Sequence, residues 1–128
     1  MIKKMVPALI ALVAFLGIGA PATANAATSA LPTKCANVGF SASLICIDVN
    51  KNNWVTVWYD KRSNLRDTCR LSFSGPDGGH EDEGWFTIEF GQLKGYRWYP
   101  PVYTGAGAYT GFLRCGGGGS SSGTLFVG

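Results

Sequence analysis

From residue 35 onward, apolar residues recur at every second position, and short polar stretches rich in Gly, Asn, Asp, Ser and Pro separate these segments. A period of two is typical of β-strands that bury one face, and no stretch shows helical periodicity over several turns. Strands at this spacing favour an all-β fold, a small antiparallel β-sandwich, immunoglobulin-like or tendamistat-like, with one core. About seven short strands are predicted, at residues 41–49, 54–59, 68–74, 85–90, 96–99, 108–115 and 124–127.

The same alternation assigns three tryptophans to the outer faces of predicted strands. Trp54 and Trp58 lie on the outward side of residues 54–59, and Trp85 lies on the outward side of residues 85–90. Exposed indoles on a sheet stack on sugar rings or anchor protein partners, because they desolvate a large rigid surface. Burial under the N-terminal arm or the glycine-rich tail is the alternative. The inward sides are assigned to Val55, Val57 and Tyr59 in the first strand and to Phe86, Ile88 and Phe90 in the second.

A second aromatic cluster occupies residues 96–99 (YRWY), and two prolines follow it. On an extended segment Arg97 and Tyr99 share one side. The prolines cannot donate to a sheet ladder, so pairing ends there and Tyr103 lies in a projecting loop. Arg97, Tyr99 and Tyr103 are therefore predicted to form a binding surface, since Arg and Tyr are enriched at interface hot spots. The alternative is an edge strand with Arg97 on the surface and its neighbours packed inside.

The N-terminus has the three parts of a secretory signal peptide. Two lysines, Lys3 and Lys4, precede an apolar run at residues 6–20, and Ala24 and Ala26 supply the small residues that signal peptidase requires. The run is too short for a membrane span of about 20 residues. We therefore expect a signal peptide at residues 1–26, a flexible leader at 27–34 and a single domain at 35–128, secreted to the extracellular space.

All four cysteines follow the predicted cleavage site, and an even number in a small exported domain predicts two disulfides. Parity places Cys69 and Cys115 in the core, where they can meet. Cys46 points away from the core, which suits a peripheral bridge to Cys35. There is no C-x-x-C pair and one histidine, so neither a metal site nor a cofactor is expected.

Loss of Lys3 and Lys4 with the signal peptide leaves nine of the eleven Lys and Arg residues against eight Asp and Glu residues, a net charge of +1. Such a balance gives no electrostatic reason to expect nucleic acid or an anionic membrane as partner. The acidic stretch at residues 77–83 lacks EF-hand spacing and is interpreted as a solvated loop. Its charged or titratable residues are Asp77, His80, Glu81, Asp82 and Glu83.

Three segments resemble parts of the tendamistat-type α-amylase inhibitors: VTVWY at 55–59, YRWY at 96–99 and FLRC at 112–115. The resemblance implies a small exported disulfide-bonded β-protein that acts by binding. In that family the aromatic–Arg–aromatic triplet lies between the first two cysteines, whereas here it lies between Cys69 and Cys115, so no site residue is transferred.

The sequence is interpreted as a secreted non-catalytic binding protein, monomeric, that engages an extracellular protein through an exposed aromatic and arginine surface, in the manner of an inhibitor or a toxin-like factor. A carbohydrate or cell-wall binding module that uses the outward tryptophans is the alternative. A small secreted hydrolase is a third, less favoured hypothesis, because no nucleophile motif is present.

We predict that the mature protein begins at Ala27 and has no free thiol, since all four cysteines are assigned to disulfides. Intact-mass measurement of the secreted protein, with and without an alkylating reagent, tests both points. An alkylated species formed without prior reduction would contradict the assignment.

Overall fold

A computed structural model of the chain describes residues 31–63 and 65–128. The predicted signal peptide at 1–26 and the first four residues of the predicted leader lie outside this range. Within the range, no helix is long and apolar enough to cross a membrane. The described strands are β1 (Thr33–Asn37), β2 (Leu44–Asn50), β3 (Trp54–Asp60), β4 (Asp67–Gly75), β5 (Gly78–Glu81), β6 (Phe86–Ile88), β7 (Leu93–Trp98), β8 (Gly107–Cys115) and β9 (Gly118–Val127).

The strands pair into two antiparallel sheets, which confirms the predicted all-β sandwich. One sheet has four strands in the order β1-β2-β3-β7. The other has five strands, with β5-β4-β8-β9 in that order and β6 also paired with β4. Because β8 occupies one edge of β4, the short strands β5 and β6 follow each other along its opposite edge.

The core forms where the inward-facing residues of the two sheets meet, as the alternation predicts. Gly111 of β8 sets how closely the sheets approach, because a Cβ atom there would lie 3.2 Å from Ile47 and 3.3 Å from Val57. The core residues are Ile45, Ile47, Val49, Val55, Val57, Tyr59, Cys69, Leu71, Phe73, Ile88, Trp98, Tyr109, Leu113, Leu125 and Val127.

Both predicted disulfides are confirmed, and each joins residues that face each other across neighbouring strands. Cys69 of β4 is the register partner of Cys115 of β8, and Cys35 of β1 is the partner of Cys46 of β2. The second bridge spans a sequence separation of 46 residues. A loop of that size corresponds to about 4 kcal/mol of stabilisation on the chain-entropy account.

Four elements differ from the sequence prediction. Strand β1 begins at Thr33, two residues before the predicted start of the domain, and β5 forms within the predicted acidic loop. The glycine- and serine-rich tract pairs with β8 from Gly118 onward, because ladder hydrogen bonds need backbone groups rather than apolar side chains. Phe90 is 57% exposed rather than inward, since β6 ends at Ile88 and the chain turns.

The interpretation of the acidic stretch as solvated is wrong for Asp82, which is 8% exposed. Its carboxylate accepts hydrogen bonds from the backbone N–H groups of Leu71 (2.8 Å) and Gly84 (3.1 Å) and from Arg70 Nε (3.1 Å). Strands β5 and β6 leave a gap between them along the edge of β4, and these hydrogen bonds lie in that gap. Asp82 is therefore a structural residue that completes the sheet edge.

Replacement of Asp82 by Ala is expected to lower the free energy of unfolding by about 3 kcal/mol, because it leaves the buried Leu71 N–H without an acceptor and Arg70 without its buried partner. Urea denaturation measures the change. The matched control is Glu83→Ala, an exposed acid of the same segment, for which a loss below about 0.5 kcal/mol is expected. Equal losses in the two variants would contradict the structural role.

Candidate functional site

The outer face of the four-stranded sheet carries a row of polar and aromatic residues that three strands bring into register. Thr56 of β3 lies between Asp48 of β2 and Arg97 of β7. Trp54 occupies the next outward position of β3, and Tyr99 follows the end of β7 at the same side of the sheet. Residues far apart in sequence thus share one surface.

Trp54 contacts both Arg97 and Tyr99, and we refer to these three residues as the aromatic–Arg cluster. The guanidinium carbon of Arg97 lies 4.1 Å from the centre of the Trp54 ring, and its Nε donates to Thr56 Oγ1 (3.1 Å). The rings of Trp54 and Tyr99 meet edge to face with their centres 6.1 Å apart. Tyr99 is 55% exposed, so the cluster presents a hydroxyl-bearing ring and a planar cation to solvent.

Asp48 lies beside the cluster and was not a predicted site residue. Burial raises the pKa of its carboxyl to about 7, although the charge of Arg97 and a hydrogen bond with Thr56 act in the opposite direction. Among the described residues, neither Asp48 Oδ1 nor Trp54 Nε1 has a hydrogen-bond partner, and both atoms are buried. This face therefore contains one unsatisfied acceptor and one unsatisfied donor beneath its surface.

Trp58 lies on the same face but has a packing role. It is the register partner of Cys46 and of Gly95, and a Cβ atom at Gly95 would lie 3.2 Å from the Trp58 Cβ. The glycine therefore leaves room for the tryptophan, which is half-buried. Cover of a strand glycine by a neighbouring aromatic side chain stabilises the sheet.

Trp85 lies apart from the other two predicted tryptophans, against the five-stranded sheet. Its ring centre is 5.8 Å from the guanidinium carbon of Arg70 and 5.5 Å from that of Arg114. The ring is 51% exposed. The three outward tryptophans therefore do not form one surface, which the sequence could not reveal because it does not specify which strands pair.

Tyr103 belongs to the loop after β7, where hydrogen bonds hold it in place. Its hydroxyl donates to the carbonyl of Ala106 (3.0 Å), and its backbone N–H donates to a carboxylate oxygen of Asp77 (3.2 Å). Asp77 also bonds to His80 (2.9 Å), whose ring stacks on Phe73. The hydrogen bond from His80 lowers the pKa of Asp77. The structure thus ties Tyr103 to this loop rather than to the aromatic–Arg cluster.

Two groupings have residue types used in catalysis or metal binding. The His80–Asp77 pair has no serine hydroxyl bonded to it within residues 31–63 and 65–128. Asp67 lies near the sulfur atoms of Cys69 and Cys115, but a disulfide offers no thiolate to a metal ion.

Comparison with family models, with curated proteins and with solved structures finds no match to this chain. The function is therefore inferred from the geometry of the sheet faces.

The raised pKa of Asp48 predicts a pH-dependent stability. Between its ordinary pKa of 3.8 and its folded value of about 7, the folded state holds a proton that the unfolded state has released, so a rise in pH favours unfolding. We expect Asp48 to lower the free energy of unfolding by about 3 kcal/mol as the pH rises from 5 to 8, since each pH unit below 7 contributes about 1.4 kcal/mol.

Asp48→Asn is expected to remove this loss, so the difference between the two pH profiles isolates Asp48. Urea denaturation at pH 5, 6, 7 and 8 provides the measurement. Parallel profiles for wild type and variant would show that Asp48 is ionised in the fold.

Proposed function

We propose that this domain is a secreted, non-catalytic binding protein that engages an extracellular protein partner through the aromatic–Arg cluster. The observation that carries the proposal is the stacking of Arg97 on Trp54 beside the exposed Tyr99. Trp, Tyr and Arg are the residue types that dominate interface hot spots, where they supply large contact areas.

The cluster is preorganised, which lowers the cost of binding. Arg97 and Trp54 lie on neighbouring strands, and the bond from Arg97 to Thr56 holds the guanidinium over the indole before any partner arrives. Side chains already ordered in the free protein lose less conformational entropy on association.

A protein partner is favoured over a glycan at this face because the ring surfaces are already used. A sugar stacks on an open, exposed indole face, whereas Trp54 and Trp58 are half-buried and Arg97 lies 4.1 Å from the centre of the Trp54 ring. The exposed part of the cluster is a phenol and a guanidinium. These groups suit the polar and apolar mixture of a protein surface.

Secretion is part of the same proposal. The pattern at residues 1–26 is that of a signal peptide, and the two disulfides are compatible with an oxidising extracellular environment. A partner would then be met outside the cell.

The test compares two variants of the cluster. Tyr99→Ala removes an exposed ring, and Arg97→Lys keeps the positive charge beside Asp48 but loses the planar group that stacks on Trp54. The matched controls are Phe90→Ala, an aromatic of similar exposure, and Arg62→Lys, an exposed arginine paired with Asp60. Each cluster variant is expected to weaken binding by at least about 1 kcal/mol, roughly fivefold in Kd, while both controls bind normally.

Immobilised wild-type and variant domains are exposed in parallel to proteins of the culture medium and to insoluble glycans. Calorimetry then gives the Kd for the partner that the wild type retains. If Tyr99→Ala and Arg97→Lys bind normally while Trp54→Ala and Trp58→Ala do not bind an insoluble glycan, the tryptophan face binds carbohydrate and the protein-partner proposal is wrong.

A further inference from the structure

The outer face of the five-stranded sheet contains two arginines placed directly opposite each other. Arg70 of β4 is the register partner of Arg114 of β8, and both guanidinium groups lie near the ring of Trp85. Like charges directly opposite each other in an antiparallel pair destabilise a sheet. Arg70 has a structural partner in Asp82, so the residue whose position needs another explanation is Arg114.

The two arginines differ in their partners. Arg70 forms ion pairs with Asp82 (3.1 Å) and with Glu81 (3.3 Å), so two carboxylates face its charge. Arg114 is exposed and forms no ion pair with any residue of the described chain. Its planar cation is thus available to an anion from outside the protein.

A cavity of about 860 Å³ opens beside this pair. Its volume lies within the range of small-molecule sites. It is bounded by Arg70, Glu81, Phe112, Arg114 and the glycine-rich turn at residues 116–119, and serine hydroxyls line its margin. The turn contributes backbone rather than side chains, so a ligand can approach its peptide groups closely.

Two of these glycines are not required by the backbone. A Cβ atom at Gly116 or Gly117 would meet no atom within 4 Å, and neither residue has a left-handed φ. Gly118, in contrast, has a φ of 153°. The absence of side chains at positions 116 and 117 therefore keeps space open above the turn, although the conformation of the turn does not require glycine there.

We propose that this groove binds a carboxylate-bearing sugar, a uronic acid residue of an acidic polysaccharide, with the carboxylate on Arg114 and the sugar ring against Trp85. A guanidinium matches a carboxylate through two parallel hydrogen bonds. Trp85 does not line the groove itself, but its half-exposed indole lies next to Arg114, where it offers an apolar surface to the sugar ring. Serines and peptide groups of the groove bond to the sugar hydroxyls. This site is on the opposite sheet from the aromatic–Arg cluster and does not depend on the protein-binding proposal.

The test measures binding of short oligogalacturonates to the mature chain with both disulfides intact. Wild type is expected to bind them at least about tenfold more tightly than their methyl esters, which keep the rings and lose the charge. Polyglutamate offers carboxylates without sugar rings and is expected to bind no better than the esters. Equal binding of the esters, or of polyglutamate, would overturn the proposal.

Arg114→Gln is expected to lower oligogalacturonate affinity at least about tenfold with little change in the melting temperature, because the side chain is exposed and has no ion-pair partner in the described chain. Arg62→Gln, which removes the same charge from an exposed arginine elsewhere, serves as the control. Gly117→Ala places a methyl group at the turn and is expected to weaken binding while the fold is kept. Wild-type affinity in Arg114→Gln would overturn the proposal, whereas Arg97→Lys and Tyr99→Ala should bind the sugar normally.

Discussion

The covalent link between Cys69 and Cys115 fixes the register of β4 against β8, and the arrangement of the five-stranded sheet depends on this register. A shift of one residue would move every side chain of a strand to the other face. With the cysteines as partners, Leu71 meets Leu113 in the core. The same register places the outward residues at neighbouring positions opposite one another, so one bond specifies both the packing inside and the charge pattern outside.

The sequence predicted most of the inward faces and both disulfides, because each depends on parity within a strand. It did not predict which strands pair, so it could not show that Arg97 lies on Trp54 while Trp85 belongs to the other sheet. The role of Asp82 was also missed, since a buried carboxylate that bonds to backbone N–H groups has no apolar pattern. Strand β5 and the first part of β9 were hidden for a related reason, because glycines and serines can form a ladder without any hydrophobic alternation.

The two outer faces differ in chemistry although they belong to one small sandwich. On the four-stranded sheet Arg97 already stacks on Trp54 and donates to Thr56, and the rings of Trp54 and Tyr99 pack against each other. On the five-stranded sheet the arginine at 114 has no acidic partner within the described chain, and the adjoining turn is bare backbone. A surface of preordered side chains suits the surface of another folded protein, whereas an open groove with an arginine that has no acidic partner suits a small anion.

The strand order also governs how the chain reaches this structure. Local hairpins join β1 to β2, β2 to β3, β4 to β5 and β8 to β9, but β7 must return to β3, and β8 must return to β4 across a long intervening segment. Topologies dominated by such distant pairings fold in milliseconds to seconds, because the chain loses the entropy of loop closure before it gains the contacts that offset this loss. Once formed, the Cys69–Cys115 bridge keeps these two segments close even in the unfolded chain, so the oxidised protein refolds without closing this 46-residue loop again.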